Sequence, residues 1–351
     1  MSQPHVLIVF NQPSLPEDHP EADSEREVLE TIEEVQRVLS QRGCEVGSIG
    51  VLDDPGVLCA AVRDRRPDVV FNLFEGLPDW GETEAYCIAL LEWLRVPFTG
   101  STLAATCLTR DKGLTKQLLR GAGLPTADYF VVTAPPVPPC PLAWPVIVKP
   151  GNQDASVGLD QGSVVDNRRD LEARVEKLLA EYGPPILVEE YIAGREFCVG
   201  LLENPELTTL PIAEYEFLPP PGDPIWPIIT YDAKWKPGSV DYETSPMSFP
   251  AKNVPPELAE RLADIARRAF RLFGCRDYAR LDFRVRPTGE PCVLEINANP
   301  GLNPEAGFAL GLQSMGMTWE SLVHRLVDNA LARGRSAWPS GKRTITLRSA
   351  E

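Results

Sequence analysis

Histidine is almost missing from this chain: three in 351 residues, His5, His19 and His324. A mechanism built on an imidazole base therefore has few candidates, and acids, lysines and arginines must carry most of the chemistry. Runs of the roughly 18 apolar residues that a membrane helix needs are missing too. The opening Met-Ser-Gln-Pro-His has no basic segment leading into an apolar core, which predicts a soluble, cytoplasmic protein with no membrane partner. Basic residues are outnumbered, 34 against 50 acids for a formal charge of −16. Such a surface repels phosphate backbones, so nucleic acid is not an expected partner, although a focused Lys and Arg cluster inside the acidic shell suits a nucleotide. The cysteines, at 44, 59, 87, 107, 140, 198, 275 and 292, include no pair at metal-knuckle or redox spacing and read as reduced core residues.

What is present suffices for a large folded protein. With 43% hydrophobic and 24% charged residues, burial can offset the ordering entropy. Single cores stop growing near roughly 250–300 residues, so this length predicts two or three lobes. The 35 prolines are about twice the usual share of ~5% and crowd at 134–145 and 218–227, marking loops between lobes. No internal repeat or low-complexity tract is found.

Residues 6–10 form a buried-strand pattern, after which Val28, Ile32, Val35 and Leu39 recur at helical spacing until Arg42 and Gly43 supply a basic last turn and a stop. Strand 45–51, helix 57–66, strand 69–74 and helix 82–94 continue the alternation, which predicts an open, mostly parallel sheet. The first loop, 11–23, is long and lacks a glycine fingerprint, arguing against a dinucleotide site. After Gly100 the pattern changes to a helix over 109–120, a strand ending on Lys149, a strand near 163–165, a helix over 171–182 and a strand over 186–192. These make a small α+β lobe. The rest holds strands, a polar segment 231–250, and a helix begun by Pro255-Pro256 with a Leu258, Leu262, Ile265, Ala269 stripe and a Gly274 cap.

The hairpin that follows carries the chemistry. Residues 279–286 alternate, with Arg280, Asp282, Arg284 and Arg286 on one face and Leu281, Phe283 and Val285 on the other. On the return strand Val293, Glu295 and Asn297 share a face opposite Cys292, Leu294 and Ile296. A turn centred on Thr288 and Gly289 sets Asp282 across from Glu295 and Arg280 across from Asn297, and a one-residue slip would mix polar with apolar faces. Two carboxylates directly opposite repel. Either a hard cation such as Mg²⁺ lies between them, with oxygen ligands from Asp282, Glu295 and Asn297, or the hairpin is exposed and Arg280 and Arg284 neutralise the acids.

Lys112 and Lys149 are further candidates for phosphate contact, unless simply solvated. The glycine-bracketed loop 151–158 directly follows Lys149, and its N–H groups can lie over phosphates. Glu189 and Glu190 close an apolar strand, where they either seat an adenine and ribose or stay solvated.

Taken together, Ser24-Glu-Arg-Glu-Val28, Pro97-Phe-Thr-Gly100, Asp111-Lys112, Gly121-Ala-Gly-Leu-Pro125, Val146-Ile-Val-Lys-Pro150 with Ser156-Val-Gly158, Arg280-Leu-Asp282, and Glu295-Ile-Asn297 with Pro300-Gly301 resemble the ATP-grasp superfamily. Within it they resemble the D-alanine–D-alanine ligases. The resemblance implies a three-lobed ATP-grasp fold, α/β and α+β, with an N-terminal open parallel α/β sheet in 1–108, a central lobe in 109–194 and a C-terminal lobe in 195–351. It implies ATP between the last two lobes, contacted by Lys112, Lys149, Ser156, Val157, Glu189, Glu190, Ile192 and Glu196. Two Mg²⁺, replaceable by Mn²⁺, would be held by Asp282, Glu295 and Asn297. The implied reaction is ADP-forming: a carboxylate becomes an acyl phosphate and an amine attacks it. Lys149 and Lys234 would screen phosphate, Arg280 and the Gly301 N–H would hold the oxyanion, and Glu25 would take the ammonium of the first amino acid. As a first-turn acid, Glu25 or Glu27 also complements a helix dipole. Partners would be a small carboxylate and a small amine, with pairing as a homodimer.

Several positions depart from the D-alanine ligase pattern. Asp154-Ala155-Ser156 replaces the usual Gly-Ser-Ser, Trp235 replaces a tyrosine after Lys234, Ala306 replaces a serine that binds the second carboxylate, and Glu75 stands where a histidine is usual. All touch the acceptor side or the lid, so the expected acceptor is an amine other than D-alanine. The alternatives are an authentic D-alanine–D-alanine ligase and a noncatalytic ATP-binding protein.

Overall fold

Residues 6–9, Val-Leu-Ile-Val, are fully buried, because their strand lies mid-sheet with helices on both faces, the setting in which parallel strands read as unbroken apolar runs. The computed structural model describes residues 3–14, 22–77, 80–204, 206–220, 222, 225–304 and 307–334, with backbone alone at 22–27 and 204. In it this strand is β1 (His5–Asn11), flanked by β2 (Glu45–Val51) and β3 (Val69–Leu73) in the order β2-β1-β3, all parallel. Helix α1 (Ala22–Gln41) covers one face through Ile32, Val35 and Leu39. Helices α2 (Gly56–Arg65) and α3 (Thr83–Leu94) cover the other through Leu58, Val62, Ile88 and Leu91.

Two helices, α4 (Leu103–Arg110) and α5 (Lys112–Gly121), replace the one expected over 109–120. Asp111 breaks the run: its backbone is extended and its carboxylate caps α5 by accepting from the Leu114 N–H at 2.9 Å. Strands β4 (Tyr129–Val132), β5 (Val146–Pro150) and β6 (Val164–Val165), helix α6 (Arg168–Tyr182) and β7 (Ile186–Glu190) complete the central lobe. Its antiparallel sheet, β4-β7-β5-β6, packs on Leu171, Val175 and Leu178 of α6.

The third sheet is antiparallel and built from β8 (Arg195–Asn204), β9 (Glu206–Thr209), β10 (Ala213–Tyr215), β11 (Met247–Ser248), β12 (Tyr278–Val285) and β13 (Pro291–Asn297), in the order β11-β10-β8-β12-β13 with β9 on β8. The polar segment before β11 is not a plain connection, since it winds into α7 (Tyr231–Trp235) and α8 (Val240–Glu243). Helix α9 (Pro256–Phe273) has proline at its start and Gly274 at φ +67 as its cap, as the sequence predicts. It buries Leu262, Ile265, Phe270 and Phe273 against β8, β12 and β13, roughly 1.5–3 kcal/mol per large side chain.

Helices α10 (Gly307–Ser314) and α11 (Trp319–Arg333) return to the first sheet, where Phe308, Leu312, Leu322 and Leu326 share a core with Val6, Ile8 and Phe71. Arg42, just past α1, ties down α11 through Asp328 at 2.5 Å and the His324 carbonyl at 3.1 Å. The last helices thus belong as much to the N-terminal lobe as to the C-terminal one. All eight cysteines are free thiols; Cys87, Cys198, Cys275 and Cys292 are buried, but Cys107 is exposed, which corrects the expectation of core cysteines throughout. Among the described residues no helix is long and apolar enough to cross a membrane.

Candidate active site

The β12–β13 ribbon sets Asp282 opposite Glu295 and Arg280 opposite Asn297, the expected pairs. The route to that register differs from expectation. The turn is a three-residue loop, 287–289, closed by the Gly289 N–H on the Arg286 carbonyl at 2.8 Å, with Gly289 at φ +84. The resulting shift is cancelled by a bulge at Leu294, between the pairs Asp282↔Glu295 and Phe283↔Val293. Val293 therefore points into the apolar core with Leu281 and Phe283, and Cys292 sits opposite Arg284. This corrects the expectation that Val293 shares the face of Glu295.

Nor is the ribbon an exposed hairpin, since Asp282 is only 7% exposed. Arg280 grips both Asp282 oxygens, at 2.8 and 2.9 Å, in the fork geometry of an arginine–carboxylate pair. Arg284 takes no part in this, because it faces Glu196. Glu295 Oε2 lies 3.9 Å from Lys112 Nζ and Oε1 lies 4.0 Å from Arg280 Nη2, beyond hydrogen bonding. Burial alone would raise the Glu295 carboxyl, yet Lys112, Lys234, Arg280 and Lys149 together hold it well below the usual carboxylate range. The Asn297 side-chain carbonyl is oriented by the Asn299 N–H at 2.8 Å. Hard oxygens of Glu295 and Asn297, with Glu295 among cations but not hydrogen-bonded to Lys112 or Arg280, fit Mg²⁺, and Asp282 can join them by sharing an oxygen now held by Arg280.

Lys112 is 6% exposed and donates to Asp154 Oδ1 at 3.1 Å and to the Gln153 carbonyl. Its backbone N–H also binds the Gly151 carbonyl at 3.0 Å, so the start of α5 holds the 151–158 loop. In that loop Ala155 and Ser156 adopt left-handed φ of 55 and 64 degrees, costing on the order of 1–2 kcal/mol per residue. Two contacts from the 229–235 segment hold them there: Ser156 Oγ donates to the Ile229 carbonyl at 2.9 Å, and Trp235 Nε1–H donates to the Ala155 carbonyl at 3.1 Å. The indole thus ties α7 to the 151–158 loop. The Val157 N–H is turned to the Asp154 carbonyl at 3.0 Å.

The remaining expected nucleotide residues all have protein partners. Lys149 and the wholly buried Lys116 flank Glu189 at 2.7 and 3.1 Å. Burial would raise Glu189, but these two lysines lower it, while burial lowers Lys116. Lys116 also donates to Thr126 Oγ1 at 2.8 Å, which in turn donates to the Val293 carbonyl at 2.8 Å, coupling the central lobe to β13. Glu190 pairs with both arms of Arg286. Arg284 Nε donates to Glu196 Oε2 at 2.7 Å, while its other nitrogens reach the carbonyls of Ile192, at 3.4 Å, of Gly194, at 3.0 Å, and of Pro227.

A cleft of about 2470 Å³ joins the lobes; Lys234, Arg280, Glu295, Asn297 and Gly301 line it together with Ala155 and Val157. Lys112, Lys149, Ser156, Glu189, Glu190, Ile192, Glu196 and Asp282 lie outside that lining. Glu25 is on α1, but its side chain lies outside the described residues, as does Ala306.

Several other residues meet here that no motif or spacing singles out. Glu84 on α3 receives Arg110 Nη1 at 3.3 Å and Asn299 Nδ2 at 3.1 Å, and Asn299 accepts from the Tyr278 hydroxyl at 2.9 Å. Burial pushes the Glu84 carboxyl up to about 8, against the opposing Arg110 charge. Only Lys116, one turn beyond Lys112 on α5, had a usable signal, because that spacing puts both lysines on one helix face.

A family model described as D-ala D-ala ligase C-terminus matches residues 118–328. The chain is 35% identical over 317 residues to a D-alanine–D-alanine ligase of Desulforudis audaxviator, covering 88% of this chain and 96% of that one. It is 36% identical over 288 residues to an uncharacterized protein of Sinorhizobium fredii, covering 80% and 82%. In fold it is similar to the crystal structure of D-alanine–D-alanine ligase from Bacillus anthracis complexed with ATP, with a TM-score of 0.73, 18% identity and coverage of 94% and 98%.

Proposed function

This chain belongs to the D-alanine–D-alanine ligase family of ATP-grasp enzymes, ADP-forming carbon–nitrogen ligases, and from that premise we propose that it joins an amino-acid carboxylate to an amine other than D-alanine through an acyl phosphate. The observation that carries the reading is Asp282 facing Glu295 inside a ring of cations. In the first step a substrate carboxylate oxygen attacks the γ-phosphorus of ATP, the bridging P–O bond breaks and ADP leaves. In the second the amine nitrogen attacks the acyl carbon, the C–O bond to phosphate breaks, and phosphate and a proton are released.

Such chemistry needs charge neutralisation and positioning more than acid–base groups. Asp282, Glu295 and Asn297 would hold Mg²⁺, two ions replaceable by Mn²⁺, which when bound neutralises phosphate charge. Lys234 lines the cleft near Glu295 and would meet the transferred phosphate with Lys149 and Lys112. Arg280, its fork anchored by Asp282, and the Gly301 N–H would hold the oxyanion, while Ser156 and Val157 would lie over the phosphates. Glu189, paired with Lys116 and Lys149, holds both lysines in place. Glu190, Ile192 and Glu196 would approach the base and ribose once their contacts with Arg286 and Arg284 rearrange. Glu25 would take the donor ammonium.

A second reading, D-alanine–D-alanine ligase itself, is favoured by the similarity to curated ligases over most of the chain. ADP release screened over amino acids and amines separates the two. Turnover that needs an amine other than D-alanine supports the proposal, and robust turnover with D-alanine alone defeats its acceptor part.

A further inference from the structure

We infer that the Asp154 carboxylate is a resident competitor of the ATP phosphates: it occupies Lys112 and Arg110, must leave both for ATP to seat, and so sets the nucleotide affinity of the enzyme. This deepens the ligase reading and rests on it, through the assignment of Lys112 to the phosphates.

Asp154 stands where the D-alanine ligases usually have a glycine, so this chain adds an anion to the very loop expected to lie over the phosphates. Its Oδ1 accepts from Lys112 Nζ at 3.1 Å and its Oδ2 from Arg110 Nη1 at 3.2 Å. Two oxygens of one anion on two cations is the arrangement a phosphate group would make. The placement also puts the carboxylate in the way. Asp154, Gln153 and Arg110 line the cleft, whereas Lys112, 6% exposed, lies behind them and outside that lining. A phosphate entering from the cleft reaches Lys112 only by displacing Asp154.

Such a displacement is local. The Asp154 side chain is 47% exposed, so rotation about its own bonds carries the carboxylate into water. The loop does not depend on it, because the Lys112 N–H still holds the Gly151 carbonyl at 3.0 Å, Ser156 Oγ the Ile229 carbonyl at 2.9 Å, and the Trp235 indole the Ala155 carbonyl at 3.1 Å. Glu84 is the other acid on Arg110, but burial pushes its carboxyl up to about 8, so near neutral pH it binds that guanidinium as an uncharged acceptor. Lys234 also lines the cleft, so the parent protein still offers the phosphates a cation. Its affinity for ATP is reduced by the share of molecules in which Asp154 holds Lys112 and Arg110. Removing the Asp154 charge leaves the region around these two cations more positive by one unit, which favours any phosphate that reaches them.

The test uses the whole protein and calorimetric titration with ATP, inorganic tripolyphosphate and adenosine, each with and without Mg²⁺. Asp154→Asn should lower the Kd of ATP and of tripolyphosphate about fivefold or more in both conditions, leave adenosine binding unchanged, and melt within a few degrees of the parent. Asp154→Ser, which also removes the charge, should do the same. In a Lys112→Gln background the gain should shrink, because one of the contested cations is gone. Unchanged or weaker ATP binding in both variants overturns the inference and makes Asp154 an anchor of the loop. A loss seen only with Mg²⁺ makes it part of the metal site and overturns the inference too. So does a gain that adenosine shares, or one that persists in full in the Lys112→Gln background. Each of these leaves the ligase reading standing, whereas a folded parent that binds neither ATP nor tripolyphosphate removes both.

Discussion

Arg284 Nε donates to Glu196 Oε2 at 2.7 Å in a site where both residues are under a tenth exposed. The two lie on the paired strands β12 and β8, and the pair closes the junction of the central and C-terminal lobes, because the same guanidinium also holds the Ile192, Gly194 and Pro227 carbonyls. Removing one member leaves a buried charge and several acceptors without a partner.

Arg284→Met should therefore destabilise the protein by about 3–5 kcal/mol, the usual cost of breaking a buried pair. Adding Glu196→Gln should recover part of that loss by removing the stranded carboxylate. Urea unfolding of the two variants measures both terms, and a single variant within about 1 kcal/mol of the parent would contradict the assignment.

Glu295→Gln keeps side-chain volume while removing the charge that Lys112, Lys234 and Arg280 surround. We expect ADP release to fall by about 100-fold or more, with an unchanged circular dichroism spectrum and a weaker Mg²⁺ dependence. Full activity in this variant would overturn the metal assignment.

Trp235→Phe removes the indole N–H that binds the Ala155 carbonyl at 3.1 Å. A net hydrogen bond is worth about 0.5–1.5 kcal/mol, and Trp235 is 42% exposed, so the global melting temperature should barely change. Amide exchange over 231–243 should quicken up to about tenfold, the kinetic equivalent of that energy. Unaltered exchange there would show that the tie does not hold the segment.

Glu84 gives a pH signature. Its folded pKa, near 8, is raised above the unfolded value, so its contribution is fully present below about pH 4.5 and is lost as the pH rises through about 8. Relative to Glu84→Gln, the parent should lose on the order of 5 kcal/mol across that window, at about 1.4 kcal/mol per pH unit. Parallel stability curves from pH 4.5 to 9 would contradict the raised value.

Part of this site was readable in the chain because it depends on local period. Alternation in 279–286 and 292–297 fixed which faces could meet, and the cost of mixing polar with apolar side chains selected Asp282 against Glu295. The compensating pair of irregularities, a three-residue turn and a bulge at Leu294, left that register intact while reversing Val293 and Cys292. No residue pattern announces a bulge, because its advantage lies in what Val293 packs against. The break at Asp111 was missed for a different reason, since an aspartate inside a helical pattern is as easily a solvated side chain as a cap.

The residues themselves determined the cap and stripe of α9 and the pairing of aspartate with glutamate, since each follows from spacing along a single strand or helix, whereas the three-lobed architecture was implied by the family resemblance of motifs spread over the chain. Only the tertiary structure decided which cation each acid takes. Arg284 reaches Glu196, Lys116 and Lys149 enclose Glu189, and Glu75 comes to rest beside Gly301. These partners are far apart in the chain, and a Coulomb interaction depends on distance through space and on local burial, quantities that exist only once the lobes have packed.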